Sequence, residues 1–324
     1  MFDDVEKTIL MSVQYELPLT ERPFVDLAEN IGLNAKDVMV KLREFKQKGV
    51  IKRIGANLNY KAFSRIGKAA LVAFACKDGD IPRIAKIINE SIDSISLKHN
   101  FLRDHPRYKI WFTFKGKDKE ELLRKVEELA KKCGVKDYLF LPSKRVYKMD
   151  VKYDLFKGIS WSEKGLEKDD VPKVEDLGIP AKMLFELEKK LPIEDRPFKE
   201  IAERYGYKES ELVDLIAELI KKGVVRDFSG VLRESKIGFG ENGMNIIQIE
   251  PEEAEKLALK LVNEFPQITH LVEREVPERW RFPIYFMVHA DSRDKIEAVR
   301  KEVEQRYGVK ILTLYSLKNL NPKL

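Results

Sequence analysis

Residues 17–33, LPLTERPFVDLAENIGL, recur without a gap as LPIEDRPFKEIAERYGY at 191–207. Leu17/Leu191, Pro18/Pro192, Arg22/Arg196, Pro23/Pro197, Phe24/Phe198, Ala28/Ala202 and Gly32/Gly206 are identical pairs. The register continues, with LREFKQKGVIKRI (42–54) against IAELIKKGVVRDF (216–228). Self-similarity at a fixed offset marks a duplicated structural unit. Whatever fold the first half takes, the second half must take as well.

Each copy reads as helix, turn, helix, wing. Phe24, Leu27, Ala28 and Ile31 share one helical face, and Gly32 allows the turn. Asn34 has the chemistry of an N-cap, and Asp37 lies in the first turn, where the helix dipole favours a negative charge. Val38, Leu42 and Phe45 form the next apolar stripe, Gly49 ends that helix, and VIKRIGANLNY reads as a β-wing. This is a winged helix-turn-helix, a module that often reads DNA.

Behind each winged helix comes a β-α-β-β-α-β pattern. In the first half, strands are expected near 68–76, 94–102, 108–115 and 137–149, with helices near 82–89 and 119–132. In the second half, strands are expected near 244–250, 268–275, 283–290 and 310–317, with helices near 252–265 and 292–307. That is the ferredoxin-like arrangement, whose open sheet leaves one face to be covered. Two copies in one chain can pack sheet on sheet. The expected fold is therefore α+β: a tandem duplication of winged helix-turn-helix plus ferredoxin-like domain, forming a pseudodimer. The boundaries are 1–64 and 179–235 for the winged helices and 65–155 and 236–324 for the ferredoxin-like domains. Residues 156–178, charged and broken by Gly and Pro, read as a linker.

Composition narrows the function classes. The net charge of +6 is mild and allows an anionic partner without demanding nucleic acid. A charged fraction of 35%, mostly Lys and Glu, is the balance often seen in thermophile proteins. The two cysteines, Cys76 and Cys133, lack metal-site spacing. The acidic start MFDDVEKTIL does not resemble a signal peptide, and no apolar run is long enough to span a bilayer. A cytoplasmic protein with no membrane partner is expected.

All four histidines lie in the two central hairpins: His99 and His105 in the first half, His270 and His289 in the second. Aligning His99 with His270 also aligns Arg103 with Arg274, and Trp111 aligns with Tyr285 at the repeat offset. His99 and Arg103 alternate with Ile95, Leu97 and Phe101, which would place all five on one strand face. The turns, RDHPRY and EVPERWRF, are bulky and carry two arginines each.

The winged helix followed by βαββαβ resembles the leucine-responsive/asparagine-type transcriptional regulators over nearly the whole chain, twice. A closer resemblance is carried by GVIKRIGANLN (49–59), HNFLRDHPRYKIWFTF (99–114) and FLPSKRVYKMDVKYDL (140–155), which look like the first subunit of siroheme decarboxylase. GVVRDFSGVL (223–232) and ITHLVEREVPERWRFPIYFMVHADSR (268–293) look like its second subunit. The resemblance implies both subunits in one polypeptide. It implies an enzyme, a carboxy-lyase, that removes two acetate carboxylates of siroheme to give 12,18-didecarboxysiroheme in the alternative heme pathway. The regulators usually carry a glycine-containing effector loop at the central hairpin. The turns here suit a large, flat polyanion better than an amino acid.

Siroheme binding needs cations, preferably arginines, whose planar fork pairs with carboxylate in two hydrogen bonds. Arg103, Arg107, Lys109, Arg274, Arg279 and Arg281 are the substrate-binding candidates. Phe101, Trp111, Trp280, Phe282 and Tyr285 are candidate walls, with the core reading favoured over ring contact for Trp111 and Tyr285. Loss of carbon dioxide leaves an electron pair that the macrocycle accepts once a ring carbon is protonated. A histidine titrating near neutrality suits that donor role. The catalytic candidates are His270, His289, His99 and His105, with preference for His270 and His289. A histidine could instead ligate the iron. The bland readings stay open: a core histidine, a loop histidine, solvated surface cations. No metal site and no cofactor beyond the substrate's own iron is expected.

DNA is the competing partner. Residues 34–48 carry five cations and two anions, net +3; residues 208–222 carry three cations and four anions, net −1. DNA affinity comes largely from Lys and Arg at phosphates, so the second helix is ill suited to it. A regulator sensing heme or siroheme, a tetrapyrrole carrier, and a homodimer of the fused chain remain as alternatives at this point.

Overall fold

A computed structural model describes residues 2–93, 96–189 and 191–321. Ser94 and Ile95, part of one expected strand, lie outside the described residues. The chain divides into two compact units. One comprises Met1–Phe63, Val151–Trp161 and Lys168–Gly240; the other comprises Ser64–Asp150, Ser162–Glu167 and Glu241–Leu324.

The first unit holds both helix-turn-helix copies. Helices Pro23–Asn30 and Ala35–Gln47 match Lys199–Tyr205 and Glu209–Lys222. Pro23 starts its helix at a position where its missing N–H costs nothing. The Asn34 side chain accepts from the N–H groups of Lys36 and Asp37 at 2.9 and 3.4 Å. Phe24, Leu27, Ala28, Val38, Leu42 and Phe45 are buried, while Ile31 falls just past its helix and is only partly covered. An additional helix, Asp4–Tyr15, begins with a capping box of Asp3 and Glu6 and buries Ile9, Leu10 and Val13.

The expected wings take a different form. Ile51–Leu58 is a single strand, and its partner is its own counterpart, Val225–Leu232, in antiparallel register. The duplication also appears as reciprocal ion pairs. Arg22 reaches Asp195 at 2.7 Å, and its repeat mate Arg196 reaches Glu21, the repeat mate of Asp195. This is the isologous contact of a symmetric dimer, made within one polypeptide.

The segment 156–178 is not a free tether. Ile159–Ser160 pairs with Tyr153–Asp154, Val171 and Val174 are buried, and the Val174 N–H donates to the Ala62 carbonyl at 2.9 Å. Its Gly and Pro residues break regular structure, but its few apolar side chains still find a core.

The second unit holds both ferredoxin-like halves. The first half orders its strands Tyr138–Met149, Lys68–Ala75, Tyr108–Gly116, Leu97–Arg103; the second orders them Lys310–Asn319, Glu241–Gln248, Ile284–Ala290, His270–Arg274. The halves also join edge to edge. Leu97–Arg103 pairs with Lys310–Asn319, and His270–Arg274 pairs with Tyr138–Met149. Eight antiparallel strands thus form a closed ring, which leaves no edge unpaired. Helices Ile81–Ser91 and Lys119–Cys133 cover the first half's outer face, where Phe74, Phe112 and Phe114 meet Ile84, Leu122 and Val126. A second core contains strand and loop residues of both halves and no helical ones: Leu71, Trp111, Leu141, Met244, Tyr285 and Leu314 are among its members. This core lies inside the ring.

Candidate active site

The inner face of the ring collects the residues of interest. Directly opposed residues on antiparallel strands share a face. Phe101 opposes Trp111, Val272 opposes Tyr285, and His289 opposes Asn242. Strand alternation from these pairs places Arg103, Arg274 and His289 inside. His99 opposes Thr113 and so also faces inward, but Leu97 opposes Phe114 on the outer face. A register irregularity between Leu97 and His99 inserts one residue and breaks the alternation, so the expected common face of Leu97 and His99 is wrong. Ile95, also assigned to that face, is outside the described residues.

Arg103 and Arg274 are used in parallel ways. Arg103 Nη1 donates to the Leu314 carbonyl at 2.7 Å, and Arg274 Nη1 donates to the Leu141 carbonyl at 3.1 Å. Leu141 and Leu314 sit on the last strand of each half, so each arginine clasps the half it does not belong to. Arg103 lies over the Phe101 ring at 5.6 Å and Arg274 over the Tyr285 ring at 5.1 Å. Arg274 also donates to Ser143 Oγ at 3.3 Å, while its Nε is buried with no hydrogen-bond partner among the described residues. Burial lowers the Arg274 pKa to about 10, against a smaller raising effect of Tyr285.

The histidines separate by environment. His289 is buried, and its Nδ1 lies 3.2 Å from the Asn242 side-chain nitrogen. Asn242 Oδ1 accepts from Ser316 Oγ at 3.3 Å, and Ser316 opposes Arg103. His289, Asn242 and Ser316 therefore form a polar run on the second half that ends opposite Arg103 of the first. His270 is partly buried beside Met149 and Met287, with Nδ1 3.0 Å from Thr269 Oγ1. His99 is exposed and stacked on Phe101 at 5.8 Å. His99 and His270 stand on strands at opposite sides of the ring.

His105 caps its own turn. Its Nδ1 accepts from the Arg107 N–H at 3.1 Å and the Tyr108 N–H at 2.9 Å. Two donors on Nδ1 put the proton on Nε2. Burial lowers the pKa of the ring, with Asp104 opposing.

Aromatic rings from both halves line the region between the hairpins. Trp111 and Trp280 lie 6.1 Å apart, His105 is 5.7 Å from Trp280, and Phe282 is 5.1 Å from Trp280. Trp280 Nε1 donates to Tyr285 Oη at 2.7 Å and Trp111 Nε1 to the Tyr108 carbonyl at 2.7 Å, so both indoles are held in place. Trp111 and Tyr285 are thus core residues and inner-face residues at once.

The peripheral cations have anionic partners. Lys109 pairs with Asp78 at 2.6 Å, and Arg107 and Arg279 both pair with Asp137, at 2.6 and 3.0 Å. Arg281 is exposed and makes no ion pair among the described residues. Asn242, Ser316, Tyr108 and Asp137 were not anticipated. Asn and Ser have no motif of their own, and only the strand register brings them to a histidine and an arginine.

No helix among the described residues is long and apolar enough to cross a membrane, and no cluster of three or more His, Cys, Asp or Glu there could hold a metal. Cys76 and Cys133 are free thiols.

Comparison with known proteins accounts for both units. The AsnC-like ligand binding domain family matches residues 65–148 and 236–321, and the siroheme decarboxylase NirDL-like HTH domain family matches 6–52 and 181–226. The chain is similar to the siroheme decarboxylase of Hydrogenobacter thermophilus, at 26% identity over 95% of this chain and 89% of that one. It is similar to the siroheme decarboxylase NirDL subunit of Paracoccus pantotrophus, at 26% over 94% of this chain and 90% of that one. Its fold resembles the crystal structure of the siroheme decarboxylase NirDL, with a TM-score of 0.66 at 22% identity, covering 98% of this chain and 92% of that one. The chain belongs to the AsnC-like ligand-binding-domain family, as a fused, duplicated member with helix-turn-helix modules of the siroheme decarboxylase NirDL type.

Proposed function

We propose that this chain is a siroheme decarboxylase, a carboxy-lyase converting siroheme to 12,18-didecarboxysiroheme, with no cofactor beyond the iron of its substrate. The observation that carries the reading is the similarity to named siroheme decarboxylases along almost the full length of a single duplicated chain. A relative of the same fold has been crystallised with an iron-uroporphyrin III analogue, which supports a tetrapyrrole as the substrate class. The inner face suits such a ligand. Arginines answer peripheral carboxylates, and aromatic rings answer a flat macrocycle.

In the proposed reaction, an acid protonates the ring carbon next to the one bearing the acetate. The bond between methylene and carboxylate then breaks, and its electrons neutralise the protonated ring. Loss of the ring proton and gain of one at the former methylene leave a methyl group. Arg103 and Arg274 orient carboxylates, and His289 and His270 are the proton carriers in preference to His105. Lys109, Arg281 and exposed His99 contribute at the rim.

The DNA-binding alternative is weakened by the first unit. Arg43 Nε donates to the Ile193 carbonyl at 2.8 Å and Lys46 Nζ to the Leu191 carbonyl at 3.5 Å, so two cations of the recognition helix serve the contact between copies. Both halves of the site lie in one unit of one chain, so a homodimer is not needed to complete it. Free thiols and abundant helical ion pairs fit a cytoplasmic protein of a thermophile. Anaerobic incubation with siroheme, followed by mass spectrometry, tests the reading: loss of two carboxyl groups is expected. A Soret shift without mass change would mean a sensor or carrier. Full activity in both His270→Ala and His289→Ala would remove the histidine assignment.

A further inference from the structure

Arg107 and Arg279 come from the hairpin loops of different halves, yet they converge on one carboxylate. Asp137 Oδ2 accepts from Arg107 Nε at 2.6 Å, and Asp137 Oδ1 accepts from Arg279 Nη1 at 3.0 Å. Tyr108 Oη donates to Oδ1 as well, at 3.2 Å. Arg279 is further anchored by Nη2, which donates to the Tyr138 carbonyl at 2.6 Å. Immediately behind these loops stand Tyr108 and Trp280, 5.6 Å apart, at the entrance to the aromatic cluster. A groove of about 420 Å³, lined by Lys136, Tyr138, Phe140, Pro277 and Arg279, runs beside the same point.

Two arginine forks meeting one carboxylate is the arrangement that would receive a carboxylate of a ligand. Here the chain supplies that carboxylate itself. The pairs are weak in the sense that matters for exchange. The Arg107 and Arg279 side chains are 66% and 55% exposed, so water and salt compete for them. A polycarboxylate arriving at the loops offers the same partner, with several copies of it on one rigid ring.

We propose that Asp137 is a specificity-determining residue: an internal stand-in for a substrate carboxylate, which latches the two hairpin loops together and is displaced when a polycarboxylate tetrapyrrole binds. The inference rests on the tetrapyrrole reading above. Asp137 touches no reacting atom and acts through Arg107 and Arg279. Its cost is affinity, since every bound carboxylate must first release it. Its gain is discrimination, because a ligand without carboxylates cannot make the exchange.

The test is Asp137→Asn in the full chain, assayed with siroheme under anaerobic conditions at two ionic strengths. Freed arginines should lower KM roughly three- to ten-fold with kcat unchanged, the range set by two exposed ion pairs. KM should also rise more steeply with salt than in the wild type, because more unneutralised charge takes part in binding. If Asp137→Asn does not accumulate as folded protein, Asp137→Ser carries the same expectation. A KM that is unchanged or raised, with wild-type salt dependence, overturns the latch. A wild-type chain that neither binds nor decarboxylates siroheme overturns the underlying reading instead, and the two failures are read in different samples.

Discussion

Arg274 offers a direct separation of stability from function. Its guanidinium is desolvated enough to lower its pKa from the ordinary arginine range to about 10. A pKa unit corresponds to about 1.4 kcal/mol, so keeping the charge inside the ring costs on the order of 3 kcal/mol. The hydrogen bonds to Leu141 and Ser143 return about 1–2 kcal/mol of that, and the contact with Tyr285 adds a little. Structure alone does not justify the residue. Arg274→Met keeps the length and apolar volume and discards the charge, and such exchanges are often neutral or stabilising. The variant should show a urea midpoint equal to or above wild type at pH 7, together with loss of siroheme turnover in the mass-spectrometric assay. The pH dependence carries a sign. The folded pKa lies below the unfolded one, so from about pH 10 up to the ordinary arginine range the unfolded chain holds a proton that the folded chain has shed. Wild-type stability should therefore rise relative to Arg274→Met across that window, and the penalty should be fully present below it. A variant that loses more than about 1 kcal/mol yet still decarboxylates siroheme would refute the reasoning, because Arg274 would then be a structural clasp alone.

Lys148 makes a related prediction away from the inner face. It is fully buried, its Nζ donates to the Ser162 carbonyl at 2.7 Å, and burial lowers its pKa to about 8 against the raising influence of Asp150. Lys148→Met should be at least as stable as wild type at pH 7. The difference should shrink between about pH 8 and 10.5, where the wild type sheds its proton on folding, as read from denaturation midpoints across that range. Gly55 sits at φ +151°, and a Cβ there would come within 2.1 Å of the Leu187 carbonyl oxygen. Gly55→Ala should lower stability by about 3 kcal/mol or more, seen as a reduced denaturation midpoint or as insoluble protein, and a wild-type midpoint would contradict that contact.

The duplication, the element order and the identity of the polar residues were legible in the sequence, because each has a local signature. Helical stripes, the Asn34 cap and alternating strands depend on neighbours a few residues away. The recurrence of Arg22 as Arg196 and of Glu21 as Asp195 even contained the reciprocal ion pairs, although only the fold shows which partner each arginine takes. Pairing between distant segments has no such signature. The wing strands pair with each other, and the two sheets close into a ring through edges on opposite halves, because unpaired backbone groups seek the nearest matching edge wherever it lies in the chain. One irregularity beside His99 reassigned Leu97 to the outer face, since strand alternation has a period of two and a single extra residue reverses it. The turn of His105 used its Nδ1 to satisfy two backbone donors, which leaves its proton on Nε2. Asn242 and Ser316, two residues without any motif, link His289 to the strand position opposite Arg103. Residue type and periodicity determined what the chain could use; long-range strand register decided which of those side chains share a space.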